Sequence, residues 1–170
     1  VAAVADWRAF PGTGAPRVYV GPGDTVARAL DLYAPYSARA RAATALLRAL
    51  PDPLARRLLA PVADPAERAR LDAVAARVRG LLGEPRALVS IAPGTPGPHR
   101  KATAQVTVAG AVAAYAKVAT SDAARHLVRR EQAVLQALAA AAPPCAVPRV
   151  LGVGDDADEQ ARIPAVRVRG

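Results

Sequence analysis

The sequence is poor in several residue types, and each scarcity excludes a class of structure. Its 170 residues include one cysteine, Cys145, and no methionine. A single thiol forms neither an internal disulfide nor a cysteine-rich metal cluster. Aromatic residues make up 4% of the chain, and no basic stretch carries the interleaved rings that stack nucleic-acid bases. No uncharged stretch is long and apolar enough for a membrane helix, so we expect a soluble cytoplasmic protein without membrane association.

The charge of the chain is strongly positive and comes almost entirely from arginine. The formal net charge is +9, while Lys101 and Lys117 are the only lysines. The arginines are scattered through every segment, which favours an arginine-rich solvated surface over a nucleic-acid partner. A basic nucleic-acid-binding module stays open as an alternative, and its affinity would fall steeply with salt. A second alternative is a non-catalytic domain that uses an exposed sheet face for a protein partner.

The first half of the sequence indicates turns followed by helices. Glycine and proline mark turns up to about residue 35, with a possible strand at residues 17–20. Apolar spacing indicates helices at residues 37–50, 54–59 and 65–82. The last is the best defined, because Asp64 can cap it, Pro65 suits its first position and Gly83 can end it. We therefore predict a mainly helical extension over residues 1–84.

The second half changes to the two-residue period of strands. Strands are predicted at residues 86–92, 102–109 and 111–119, then a helix at about 122–141, then strands at 147–153 and 163–168. The first three strands should form an antiparallel meander. The resulting prediction is an α+β fold, in which residues 85–170 form a five-stranded antiparallel sheet with one packed helix. The extension at 1–84 would be a separate domain.

Two opposite charges stand where the pattern predicts burial. Lys117 is the only charge between Lys101 and Asp122, inside an apolar strand. Glu131 lies on the midline of the apolar stripe of the next helix, which Leu127, Val128, Val134, Leu135 and Leu138 define. A carboxylate on such a stripe needs a partner, because an unpaired buried charge is costly. We therefore predict an ion pair between Lys117 and Glu131.

The same residues carry a family resemblance. The chain reads Ala-Tyr-Ala-Lys-Val at 114–118, Leu-Val-Arg-Arg-Glu at 127–131 and Val-Pro-Arg-Val-Leu at 147–151. Their order and spacing, with the segment at 99–106, resemble the N-terminal lobe of aminoglycoside phosphotransferase-like proteins, which have a protein-kinase-like fold. The resemblance covers residues 85–170, and residues 1–84 look like the helical extension that some members carry.

The resemblance implies a nucleotide site. Lys117 would contact the α- and β-phosphates of ATP or GTP, and Glu131 would orient the lysine. The loop at 94–98, with Thr95 and Gly97, would cover the phosphates. Val106 and Ala116 (or Ala114) would sandwich the purine ring. Because prolines in the loop have no amide N–H to donate to phosphate, Arg100 and Lys101 would compensate for the missing donors.

The catalytic groups of such an enzyme do not occur in this sequence. Phosphoryl transfer in the kinase-like fold uses an aspartate with a nearby asparagine and a second aspartate for magnesium, all in a C-terminal lobe. Neither His99 nor His126 begins a His-x-Asp motif. We therefore expect a chain cut before the catalytic loop and inactive alone, with Mg²⁺ and a small-molecule acceptor bound only when that lobe is present. Its uncovered surface would favour self-association.

Overall fold

One antiparallel sheet organises the molecule. The computed structural model describes residues 6–119, 121–141, 145–154 and 164–167. The strands are β1 (Arg8–Phe10), β2 (Val18–Val20), β3 (Ala60–Pro61), β4 (Leu88–Ala92), β5 (Lys101–Val108), β6 (Ala111–Ala119), β7 (Arg149–Val153) and β8 (Pro164–Arg167). Their order across the sheet is β3-β1-β2-β4-β5-β6-β8-β7. The helices are α1 (Val26–Ala29), α2 (Ala38–Ala49), α3 (Asp52–Arg57), α4 (Pro65–Leu82) and α5 (Asp122–Ala140), with a 3-10 turn at Leu30–Leu32 after α1.

The α+β class and the antiparallel sheet are confirmed, whereas the strand number is corrected from five to eight. The three additional strands come from the first 84 residues, and β2 joins β4 with Tyr19 opposite Ile91. Gly21 permits this approach, because a Cβ at that position would lie 1.8 Å from the Val89 carbonyl oxygen. The sheet therefore continues across the predicted domain boundary at residue 84.

Helix α4 has the predicted limits because its ends are locally encoded. The Asp64 carboxylate accepts a hydrogen bond from the Ala66 amide at 3.0 Å, and Gly83 ends the helix with a φ of 66°. Leu71, Ala75 and Val78 face the sheet and are buried. The helix predicted from apolar spacing at residues 65–82 is thus confirmed, and Leu71 and Val78 belong to its buried side.

The register of β5 against β6 separates the sheet into two faces. Ala104 lies opposite Ala116, and their side chains point to the face that α4 covers, called here the α4 face. Thr103 lies opposite Lys117, and these side chains point to the other face, called the lysine face. Because side chains alternate along a strand, every second residue of β4 and β5 belongs to each face, as it does in β6 from Ala114 onward, after the register shift opposite Val106.

Two elements cover the lysine face. Residues 24–32, which include α1 and the 3-10 turn, lie over part of β2, β4 and β5, with Val26 and Leu30 packed against Val18 and Val20. Helix α5 covers the end of β6, where Ala124 and Val128 pack on Ala119. No helix of the described residues combines the length and apolarity needed to cross a bilayer.

The apolar stripe of α5 is less buried than predicted. Leu127, Val134 and Leu138 are 37%, 51% and 41% exposed. The helix packs on β6 through Ala124 and Val128 in its first two turns and also contacts β7 and β8, yet these three side chains keep a third or more of their surface exposed. The sequence pattern indicated which residues share a helix side, but not how much of that side the sheet covers.

Candidate anion-binding site

The predicted ion pair forms on the lysine face. Lys117, near the end of β6, donates through Nζ to Oε1 of Glu131 in α5. Ser121 starts α5 by accepting a hydrogen bond from the Ala124 amide at 3.1 Å. This cap sets the helix against the end of β6, which places Glu131 beside the strand lysine. The side chains of Lys117 and Glu131 are 25% and 34% exposed, so the pair is half-buried rather than enclosed in the core.

A second lysine shares the same carboxylate. Lys101 Nζ lies 3.2 Å from Oε2 of Glu131, while Lys117 contacts Oε1. The three side chains together carry one net positive charge. Sequence reasoning placed Lys101 at a phosphate-side loop but missed this contact. The signal was present, because an antiparallel hairpin brings the start of β5 beside the end of β6, with Lys101 opposite Ala119.

The electrostatics of Glu131 reflect these two neighbours. Burial alone would raise the pKa of its carboxyl group, but the hydrogen bonds and positive charges of Lys117 and Lys101 outweigh burial and lower the pKa. Glu131 is therefore ionised at neutral pH. The carboxylate holds both ammonium groups close together, and both lysine side chains stay partly exposed to solvent.

The loop between β4 and β5 borders this cluster. Gly94 has a φ of 74°, and a Cβ there would lie 2.2 Å from the Lys101 carbonyl oxygen, so the hairpin needs glycine. Thr95 and Gly97 are exposed, and Gly97 has a φ of 149°. Ser121 Oγ donates to the Pro98 carbonyl at 2.5 Å, which ties the loop to the start of α5. The loop is thus held close to both lysines.

Arg100 does not join the two lysines. Its Nε donates to the Pro93 carbonyl at 2.8 Å. Its charge acts on Tyr19 and Glu67, which contact each other on the α4 side of the sheet. The predicted role of Arg100 beside Lys101 is therefore corrected, because consecutive residues at the start of a strand point to opposite faces.

The predicted purine contacts are also corrected. Val106 and Ala116 are fully buried in the core on the α4 face, together with Ala114. A ligand held by Lys117 lies on the other side of the sheet and cannot touch them. The prediction overlooked strand alternation, because residue 116 is adjacent to Lys117 and must point away from it.

Many arginines are neutralised within the molecule. Ion pairs join Arg8 to Asp6, Arg28 to Asp24, Arg48 to Asp31, Arg56 to Asp52, Arg70 to Glu67 and Arg125 to Asp122. These pairs are distributed over the described helices and strands rather than forming one basic stripe. The net charge is therefore weak support for a nucleic-acid interface.

The described residues offer no candidate metal cluster. In the part of the chain that the structure describes, no group of three or more His, Cys, Asp or Glu could hold a metal ion. One cavity of about 320 Å³ is lined by Tyr19, Asp64 and Glu67. Another, of about 420 Å³, is lined by Leu82, Val108 and Leu151. Neither cavity is lined by Lys101, Lys117 or Glu131.

Comparison with known proteins identifies no relative. No family model matches the chain, and no curated protein or solved structure matches it either. The function is therefore argued from the cluster itself.

Proposed function

We propose that this chain is the nucleotide-binding lobe of a small-molecule phosphotransferase, in which Lys117, held by Glu131, binds the phosphates of ATP or GTP. The observation that carries the proposal is the ion pair between strand β6 and helix α5. In protein kinases the phosphate-binding lysine lies on the third strand and pairs with a glutamate of the following helix. Here β4, β5 and β6 form the meander, Lys117 lies on its third strand, and α5 follows.

Three further features support phosphate as the ligand. The cluster of Lys101, Lys117 and Glu131 keeps one net positive charge, which an anion can neutralise. The hairpin loop with Gly94 and Gly97 borders it, as a glycine-containing loop covers the phosphates in kinases. The lysine side chains are also partly exposed, at 37% and 25%, so a ligand can reach them.

The binding step is tested by titration with tripolyphosphate and with ATP, in low salt, by calorimetry. Lys117→Met should weaken binding of both ligands at least about tenfold, because a charge-assisted hydrogen bond is lost. The free energy of unfolding should fall by less than about 1 kcal/mol, since the pair is partly exposed and Lys101 still neutralises Glu131.

The matched control is Arg86→Met, which removes the same charge beyond the far end of β4. Leu88 pairs with Thr107 at that end, whereas Ala92 pairs with Thr103 near the lysines. Arg86→Met should keep nearly wild-type binding. Equal losses in the two variants would show that only overall charge attracts the anion, which contradicts a specific phosphate site.

The phosphotransferase assignment has its own test in the gene. The coding sequence beyond the codon for Gly170 should encode a His-x-Asp motif with an asparagine about five residues later. These residues would supply the catalytic base and the Mg²⁺ ligand, and the lobe containing them would supply the acceptor site. A stop codon directly after Gly170 would contradict the transferase assignment, although the phosphate-binding cluster would remain.

A further inference from the structure

Along β6, the neighbours of Lys117 leave one direction for the rest of a nucleotide. On the lysine face its neighbours are Tyr115 and Ala119 in β6 and Thr103 in β5. Ala119 is buried beneath α5. A base attached to phosphates at Lys117 would therefore lie along the strands toward Tyr115 and Gln105, which are opposite each other about 7 Å further on.

That part of the face is closed by residues 24–32, called here the covering segment. Gln105 and Ser90 are fully buried on the lysine face. Gln105 Nε2 donates to the Arg28 carbonyl at 3.0 Å, and Ser90 Oγ donates to Asp24 Oδ2 at 2.7 Å. The positions beside the phosphate site are therefore in contact with the protein's own main chain and side chains.

The covering segment is fastened by polar contacts at its first residues. Arg56 Nη2 donates to the carbonyl oxygens of Gly21 and Asp24, each at 2.6 Å. The Val26 amide donates to Asp52 Oδ1 at 2.7 Å. These contacts hold the start of the segment, and its later residues Val26, Ala29 and Leu30 are fully buried in an apolar cluster.

Two polar atoms of the sheet stay without a hydrogen-bond partner while the covering segment is in place. Within the described residues, Gln105 Oε1 and Thr107 Oγ1 are buried and have no hydrogen-bond partner. Buried polar atoms are normally paired, and an unpaired one lowers the stability of the arrangement that buries it. The closed arrangement thus leaves acceptors on the sheet that a ligand with N–H groups could use.

We infer that the covering segment determines which ligands this site binds. While the segment contacts Ser90 and Gln105, the lysines bind only a phosphate chain. A base binds only after the segment has moved away from these two residues. This inference rests on the proposed phosphate site. Binding of the base then carries the cost of opening, since the apparent affinity is reduced by the fraction of molecules that are open. The segment acts as an intramolecular competitor for the base.

The first test compares tripolyphosphate with ATP on the wild-type protein. The two ligands should bind with affinities within about threefold of each other, because the base adds nothing while the segment is closed. If neither binds, the proposed phosphate site is wrong. If tripolyphosphate binds and ATP binds more than about tenfold more tightly, the phosphate site stands and the closure is overturned.

The second test loosens the segment. Ser90→Ala and Asp24→Asn each weaken the contact between Asp24 and Ser90, and should tighten ATP binding about tenfold with no change for tripolyphosphate. Arg48→Gln is the control, because it breaks an exposed ion pair to Asp31 in the same segment without touching the sheet. An unchanged ratio of the two affinities in Ser90→Ala overturns the inference.

A third measurement needs no variant. Amide hydrogen exchange over residues 24–32 should become faster when the wild-type protein is saturated with ATP and should stay unchanged with tripolyphosphate. This readout covers the case in which Asp24→Asn fails to fold. Unchanged exchange with saturating ATP would show that the base does not displace the segment.

Discussion

The two faces of the sheet differ in what their side chains contact. On the α4 face, Val106 and Ala116 are buried among other apolar residues, including Leu71 of α4. On the lysine face, the same strands present Gln105 and Lys117, whose partners are polar groups of α1 and α5. In β5 and β6 the α4 face is thus apolar and the lysine face holds polar and charged groups, although at β2 the lysine face is apolar too, with Val18 and Val20. Three substitutions examine that difference, and their expected effects on stability decrease in turn.

Leu71→Ala should lower the free energy of unfolding more than the other two substitutions and should leave ligand binding unchanged. Leu71 is 1% exposed at the centre of the α4 face. Truncation leaves a cavity and should lower the free energy of unfolding by about 3–5 kcal/mol, as measured in urea. The folded variant should bind tripolyphosphate like the wild type. Leu46→Ala, at a position that is 58% exposed, should change stability by less than about 0.5 kcal/mol. A strong loss of binding by folded Leu71→Ala would show that the faces are not independent.

Glu131→Gln should have a smaller effect that depends on pH. The two lysines hold the pKa of Glu131 below its ordinary value, so its ionised form stabilises the folded state. This contribution is present above the unfolded pKa of about 4.3 and is lost as the pH falls through the folded pKa. The variant should be about 1 kcal/mol less stable than the wild type at pH 7, the value being modest because the carboxylate is partly exposed.

The measurement for Glu131 is urea denaturation of both proteins at neutral pH and near pH 3. The difference between them should shrink at the acid pH, because the unfolded carboxyl group is protonated there and the folded state loses the advantage of the ionised form. Glu84→Gln removes an exposed carboxylate away from the lysines and serves as the control for the substitution itself. A difference for Glu131→Gln that is the same at both pH values would mean that its charge does not contribute.

Tyr19→Phe should have the smallest effect on the free energy of unfolding. Tyr19 lies on the α4 face of β2. Burial and then the hydrogen bond to Glu67 raise the pKa of Tyr19 to about 12. Since the folded state keeps this proton more tightly, stability is retained below pH 10 and declines between about pH 10 and 12. Removing the hydroxyl should cost about 0.5 kcal/mol, at the lower end for a hydrogen bond, because Glu67 keeps its pair with Arg70.

Ultraviolet titration checks the Tyr19 prediction. The spectrum of wild type minus Tyr19→Phe should show one phenol that titrates near pH 12. Tyr36→Phe, at a position that is 92% exposed, is the control and should leave this phenol in place. A Tyr19 that titrates near pH 10 would contradict its contact with Glu67.

Long elements with capped ends were predictable from the sequence, whereas short ones were not. The limits of α4 follow from Asp64 and Gly83, and the meander follows from two-residue alternation. Strands β1 and β3 contain three and two residues, which is too short for any period to show. Their place in the sheet depends on pairing partners that are distant in the chain. Helix α1 has four residues and escaped prediction for the same reason.

The site was predictable in its charges but not in its surroundings. Lys117 and Glu131 each stood on an apolar pattern, and burial of a charge requires an opposite charge. The contact of Lys101 with Glu131, the direction of Arg100 and the burial of Val106 all depend on which face each residue occupies. Alternation along β5 predicts that Val106 points away from Lys101, because an odd number of positions separates the two residues.

The sequence alone determined which residues alternate, where α4 begins and ends, and that a strand lysine needed a helix carboxylate. These properties depend on neighbours within a few residues. Tertiary structure alone decided that the first 84 residues extend the sheet, that two lysines share Glu131, and that residues 24–32 close the face beside them. Those contacts join residues far apart in the chain, and their free energy depends on distances and burial that no local pattern contains.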